Sequence, residues 1–122
     1  MPPPLSARPG VLETLQLNGT IVANGQALAV PPSCSKHIFY VVGNGAIGAG
    51  AVTIETAHDP EYAGTWAPLV NHLATPTTNP VVVIASAVAI YTYIGALAAI
   101  RARISTEVTT TSVTVYYKCI QQ

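Results

Sequence analysis

Residues 90–120, I-Y-T-Y-I-G-A-L-A-A-I-R-A-R-I-S-T-E-V-T-T-T-S-V-T-V-Y-Y-K-C-I, decide the fold. Within A-I-R-A-R-I-S, strict alternation sets Ile100, Ala102 and Ile104 on one side of an extended chain and Arg101 and Arg103 on the other. That is the pattern of a half-buried strand. After a Thr-rich turn the alternation resumes, with Val113, Val115, Tyr117 and Cys119 on one face and Thr114, Tyr116 and Lys118 on the other. Two such strands joined by a short polar link predict an antiparallel hairpin that closes a sheet.

Upstream stand the strand G-A-V-T-I-E-T-A (50–57) and the loop H-D-P-E-Y-A-G-T-W-A-P-L (58–69). That strand and loop, followed by Y-I-G-A-L-A-A-I-R-A-R-I-S (93–105) and a Thr/Val-rich last strand, resemble small β-sandwich virion proteins of tailed bacteriophages. Capsid decoration (cement) proteins and related head or tail accessory proteins are the group meant. The resemblance covers residues 50–120 and lies in patterns of strand and loop, with no chemical signature. It implies a homotrimer made in the host cytoplasm and seated on the phage head, with the major capsid protein or another virion protein as partner.

Composition points to the same class of structure independently. The chain has 122 residues, enough for one domain with a two-layer core. Half of them are hydrophobic and only 8% are charged, against about 25% in an ordinary soluble domain. So few charges leave apolar surface to be covered by other subunits, a larger partner or a bilayer. Five basic and five acidic residues cancel, which removes the electrostatic footprint of a nucleic-acid binder. Abundant Val, Ala, Ile and Thr, six Tyr, nine Gly and ten Pro favour an all-β fold. Cys34 and Cys119 allow one disulfide, but nothing local fixes their separation, and without a dense cysteine framework they read as two buried free thiols.

M-P-P-P-L-S-A-R-P-G lacks the basic and long apolar segments of an export signal. Its prolines predict an extended arm over residues 1–10 ahead of a sandwich domain at 11–122. Such an arm is either a disordered terminus or a docking segment in which Pro2, Pro3, Pro4 and Leu5 contact a neighbouring subunit and Arg8 supplies a polar contact. Its deletion is expected to leave the sandwich folded. Asn18-Gly19 and Asn24-Gly25 mark turns between strands at Leu12–Leu17, Thr20–Ala23 and Ala27–Val30. K-H-I-F-Y-V-V (36–42) reads as a compact buried strand, joined by a flexible hairpin link to A-V-T-I-E-T-A (51–57). Gly43, Gly45 and Gly48 have the G-x-G-x-x-G spacing, yet a strand follows where a dinucleotide site needs a helix.

The loop from His58 to Trp66 is the most polar part of the chain. His58, Asp59 and Glu61 fall short of a calcium loop, so no metal is assigned, and Asp59-Pro60 starts a turn. Trp66 is expected over one end of the core. A Pro/Thr-rich loop spans Asn71–Pro80. Residues 81–100 are uncharged and long enough to span a bilayer as a helix. The Val-Val-Val-Ile start, Tyr91-Thr92-Tyr93 and Gly95 argue instead for strands at Val81–Ala85 and Val88–Tyr93, a turn at Gly95, and a strand through Arg103.

Chemistry is hard to assemble from these parts. His37, His58 and His72 have unrelated contexts, and no nucleophile, base and orienting group fall together. The expectation is a non-enzymatic protein without cofactor, nucleic-acid or membrane partner: a single antiparallel β-sandwich of about eight short strands that stabilises a phage head by bridging capsid subunits. Its contact residues are the arm, His58, Asp59, Tyr62 and Trp66 at the loop tip, and Arg101 and Arg103 on a strand face that either stays solvated, pairing with Glu55 or Glu107 at little energetic gain, or meets a partner's carboxylates. Three alternatives compete: a tail, neck or fibre-attachment protein, a carbohydrate-binding sandwich stacking sugars on Trp66 and Tyr62, and a small single-pass membrane protein.

Overall fold

The computed structural model describes residues 5–45, 47–69, 81–82 and 88–121. It is all-β, with no helix among the described residues. The described residues form ten strands: β1 (Glu13–Gly19), β2 (Ala23–Asn24), β3 (Leu28–Ala29), β4 (Cys34–Gly43), β5 (Ala51–Ala57), β6 (Ala67–Pro68), β7 (Val81–Val82), β8 (Val88–Ile94), β9 (Ala99–Thr106) and β10 (Val113–Gln121). One antiparallel sheet has the order β1-β10-β4-β8; the other has the order β2-β9-β5-β6, with β3 also on β9 and β7 also on β5. Among the described residues the count is ten where about eight were expected, because the two edges of the six-stranded sheet consist of two-residue pieces, β2 with β3 and β6 with β7.

Alternation sets the faces as the side-chain period of two requires. From β9, Ile100, Ala102 and Ile104 enter the core, and from β10 so do Val113, Val115, Tyr117 and Cys119. They meet Phe39 and Val41 of β4, Val52 and Ile54 of β5, and Tyr91 of β8, so both sheets feed one core. Phe39 is its hub, tilted against Tyr117 at 5.0 Å and edge-on to Tyr91 at 5.9 Å between ring centroids. Each such aromatic pair adds about 1 kcal/mol beyond the area it buries. The Tyr91 hydroxyl donates to the Leu69 carbonyl, and burial pushes its pKa up to about 12.

Three expectations are corrected. First, β9 and β10 do not form a hairpin: β10 lies between β1 and β4, while β9 lies in the other sheet beside β5. The six-residue link between these strands, residues 107–112, is a crossover from layer to layer. The Gly-rich link between β4 and β5 crosses in the same way. Second, Cys34 and Cys119 are joined as a disulfide with their Cα atoms 5.6 Å apart. Adjacent antiparallel strands bring them together across 85 residues of sequence, a proximity that local spacing does not encode. Third, β4 is not buried on both sides: His37, Phe39 and Val41 point inward, and Ile38, Tyr40 and Val42 are half-buried on the outer face.

The described part of the N-terminal arm is fastened to its own domain. Ser6 makes a parallel bridge with Ala29, Ala7 donates to the Ala29 carbonyl, Gly10 donates to the Cys119 carbonyl, and Ala7 is buried in the core. Pro2, Pro3 and Pro4 lie outside the described residues. Removal of residues 5–10 would therefore take core contacts and backbone hydrogen bonds with it. Of the two Asn-Gly signals, Asn18 adopts a positive φ of 51°. Gly25 is needed for a different reason: a Cβ there would sit 2.2 Å from the Leu15 carbonyl oxygen and 2.5 Å from that of Ala102. Only glycine lets the backbone pass between the two.

The uncharged stretch at 81–100 contributes strands β7 and β8, a turn at Gly95 with φ 147°, and the start of β9. Among the described residues no helix is long and apolar enough to cross a membrane.

Candidate functional site

The outer face of the six-stranded sheet brings together Arg101, Arg103 and Trp66 of the residues that the sequence singles out. Antiparallel register places Glu55 of β5 opposite Arg101 of β9, and Thr53 opposite Arg103. Arg101 Nε donates to Glu55 Oε1 at 2.8 Å, and their side chains are only 15% and 11% exposed. The Trp66 ring lies over this guanidinium, with Arg101 Cζ 4.3 Å from the ring centroid. An ion pair so screened from water is held by geometry, because desolvation of both charges has to be offset by their contact.

Local chemistry in the 58–66 loop delivers Trp66 to that place. Asp59 Oδ1 accepts from the Glu61 amide at 2.8 Å, and the Tyr62 amide donates to the Asp59 carbonyl at 3.1 Å, closing a turn. Trp66 Nε1 then donates to the Tyr62 carbonyl at 2.9 Å. The His58 and Tyr62 rings stand 4.8 Å apart on the exposed side of the loop. Trp66 is thus 3% exposed, and it covers an ion pair on the outer face instead of an end of the core. A ring so placed offers no stacking surface to a sugar. Arg103 has no ion-pair partner among the described residues, and Thr53 beside it donates to Ser105 Oγ. At the arm, Arg8 pairs with Glu13 at 3.1 Å while Leu5 is 58% exposed.

His37 is the one buried histidine among the described residues. Its Nε2 faces the Gly95 carbonyl at 2.8 Å and its Nδ1 faces the Tyr117 hydroxyl at 2.7 Å. A carbonyl only accepts, so Nε2 carries the proton, and Nδ1 accepts from the tyrosine. Both nitrogens are satisfied in the neutral ring, which marks a structural histidine. Burial holds its pKa below the usual 6.5, against a smaller opposing effect of the Gly95 hydrogen bond. Below pH 6.5 the unfolded chain takes up the proton before the folded chain does, so stability falls as pH drops. Thermal melts between pH 7 and 5 should show a decline of at most about 1.4 kcal/mol per pH unit from this group. A His37→Gln variant should lose that part of the slope. An unchanged slope would assign it elsewhere.

Residues capable of catalysis or metal binding do not converge. Among the described residues no group of three or more His, Cys, Asp or Glu side chains is placed to hold a metal ion. His72 and the loop at 71–80 lie outside the described residues.

The feature that sequence reasoning missed is the outer face of the four-stranded sheet. Along β8, Val88, Ile90 and Ile94 point away from the core and are exposed. Register sets Val88 beside Val42, Ile90 beside Tyr40, and Tyr40 beside Tyr116. Leu12 flanks the same surface, and Lys36 and Lys118 supply its charge without an ion-pair partner among the described residues. A shallow trough of about 370 Å³ crosses this face, lined by Leu12, Tyr40, Val42, Val88, Tyr116 and Lys118. The signal was present in K-H-I-F-Y-V-V and V-A-I-Y-T-Y-I, which are apolar at both odd and even positions. Antiparallel strands with a solvated face commonly alternate instead, so strands that are apolar on both faces depart from that pattern.

Compared with protein-family models, curated proteins and solved structures, the chain matches none.

Proposed function

We propose that the chain is a non-enzymatic structural protein of a tailed-phage virion, a capsid decoration protein that stabilises the head by binding across junctions between capsid subunits. The observation that carries an assembly role is the contrast between the two outer faces. That of the six-stranded sheet is polar and closed by Trp66 over the Glu55–Arg101 pair. The face of the four-stranded sheet is apolar and open, with Leu12 53% and Val88 56% exposed. Open apolar surface of this kind marks a protein contact. The phage assignment rests on the resemblance of residues 50–120 to small virion proteins.

The fold fits this reading in finer detail. Taking β2 with β3 and β6 with β7 as interrupted strands reduces the two sheets to four strands each, ordered β1-β10-β4-β8 and β2/β3-β9-β5-β6/β7. That is the connectivity of an eight-stranded jelly-roll sandwich, an architecture common among capsid domains.

The test uses heads of the encoding phage stripped of accessory proteins. Purified chain should bind them saturably, in a whole-number ratio to capsid subunits, and raise their melting temperature. At a free concentration about 100 times the Kd, binding contributes about 2.7 kcal/mol per site. Chain that stays in the supernatant contradicts the reading, and chain that binds tails alone transfers it to a tail or neck role.

A further inference from the structure

The trough on the four-stranded sheet has a chemistry more specific than its apolar lining. Tyr40 and Tyr116 are cross-strand neighbours, and neither hydroxyl has a hydrogen-bond partner among the described residues. Lys118 completes the rim. The polar groups offered by the trough are therefore two phenol O–H donors and an ammonium, set in a wall of Leu12, Val42 and Val88. A ligand suited to it presents apolar rings and carbonyl acceptors and needs few acceptors in return. Polyproline is such a ligand, since proline has a carbonyl but no N–H, and proline-rich segments dock in aromatic-lined grooves without a large ordering cost.

The chain carries this ligand itself. Pro2, Pro3 and Pro4 precede Leu5, the first described residue, whose side chain is 58% exposed although its carbonyl is held by the Ala29 amide. We propose that the M-P-P-P-L segment of one copy occupies the Tyr40–Tyr116 trough of a second copy. The contact runs between copies because of reach. Leu5 is anchored beside β3 in the six-stranded sheet, whereas the trough lies on the far side of the other sheet. Four residues of polyproline helix span about 12 Å, which is used up by the separation of about 10 Å between the sheet layers before the thickness of the four-stranded sheet and its outward side chains is crossed. An arm-into-trough contact joins two different surfaces, so it is head-to-tail and closes into a ring when the rotation permits. The proposal rests on the reading that this face is covered in the assembly and names what covers it.

The test needs no capsid, so its outcome is independent of the virion assignment. A fluorescein-labelled peptide of residues 1–9 is titrated against the full chain carrying Pro2→Ser, Pro3→Ser and Pro4→Ser, whose troughs are left free. Saturable binding is expected, weakened at least tenfold when the same three prolines of the peptide are serine. Tyr40→Phe with Tyr116→Phe, which keeps both rings and removes both donors, should also weaken it at least tenfold. The triple-serine chain should itself show a lower mass in solution than the native chain at equal concentration. Equal binding of the serine peptide, no binding of either peptide at millimolar concentration, indifference to the tyrosine changes, or an unchanged mass would each overturn the proposal. The serine peptide decides the matter even where the tyrosine variant fails to fold.

Discussion

Reduction of the Cys34–Cys119 disulfide is expected to lower the stability of the isolated chain by about 4 kcal/mol. The bond spans 85 residues, so it removes from the unfolded chain most of the freedom that loop closure would otherwise cost. It also ties the first residue of β4 to the end of β10, the pair of strands at the centre of the four-stranded sheet. In urea titrations the midpoint should fall by about 2 M on adding dithiothreitol. Cys34→Ala with Cys119→Ala should reproduce the loss and make the reductant ineffective. A midpoint insensitive to reductant would show that the thiols are not paired in solution. The result bears on location too, because cytoplasmic thiols are kept reduced. A virion protein made in the cytoplasm would gain this bond, and its stability, after release.

The second large effect is expected at Glu55. Glu55→Ala leaves the Arg101 guanidinium beneath Trp66 without its carboxylate, at a cost of about 3 kcal/mol, the usual penalty for stranding one partner of a buried pair. Replacing both charges, Glu55→Ala with Arg101→Met, should recover most of the loss, since the methionine stem still packs under the indole. Chemical denaturation of the single and double variants measures the coupling directly. A double variant as unstable as the single one would mean that the cost lies in packing and not in the unpaired charge. Trp66→Ala should also destabilise, by about 3 kcal/mol, because it uncovers the pair.

The sequence made the faces of the strands legible, because a period of two can be read directly. Ile100, Ala102 and Ile104, and Val113, Val115, Tyr117 and Cys119, all enter the core as their alternation predicts. Residues 51–57 form a strand over the predicted span, and Gly95 breaks the uncharged stretch where β8 ends. Pairing partners were not legible. Alternation says which side of a strand is buried but not which strand lies next to it, so a crossover of six residues between β9 and β10 looked like a hairpin turn. The disulfide was hidden for the same reason, as it depends on β4 lying beside β10.

Of the candidate site, the loop from His58 to Trp66 was found by its polarity and its Asp-Pro turn. The role of Trp66 was not, since nothing local indicates that its ring would lie on Arg101 across the sheet. Ile38, Tyr40, Val42, Val88, Ile90 and Ile94 carried the clearest unread signal. In a four-stranded antiparallel sheet of a small domain, apolar residues at every second outward position call for a second covering layer.

Whether copies of the chain supply that covering layer is tested most directly by the mass of the purified native chain in detergent-free buffer. Size-exclusion chromatography with light scattering should give a species of three times 12.6 kDa. A chain that remains at 12.6 kDa at every concentration, or one that stays in solution only with detergent, would contradict it.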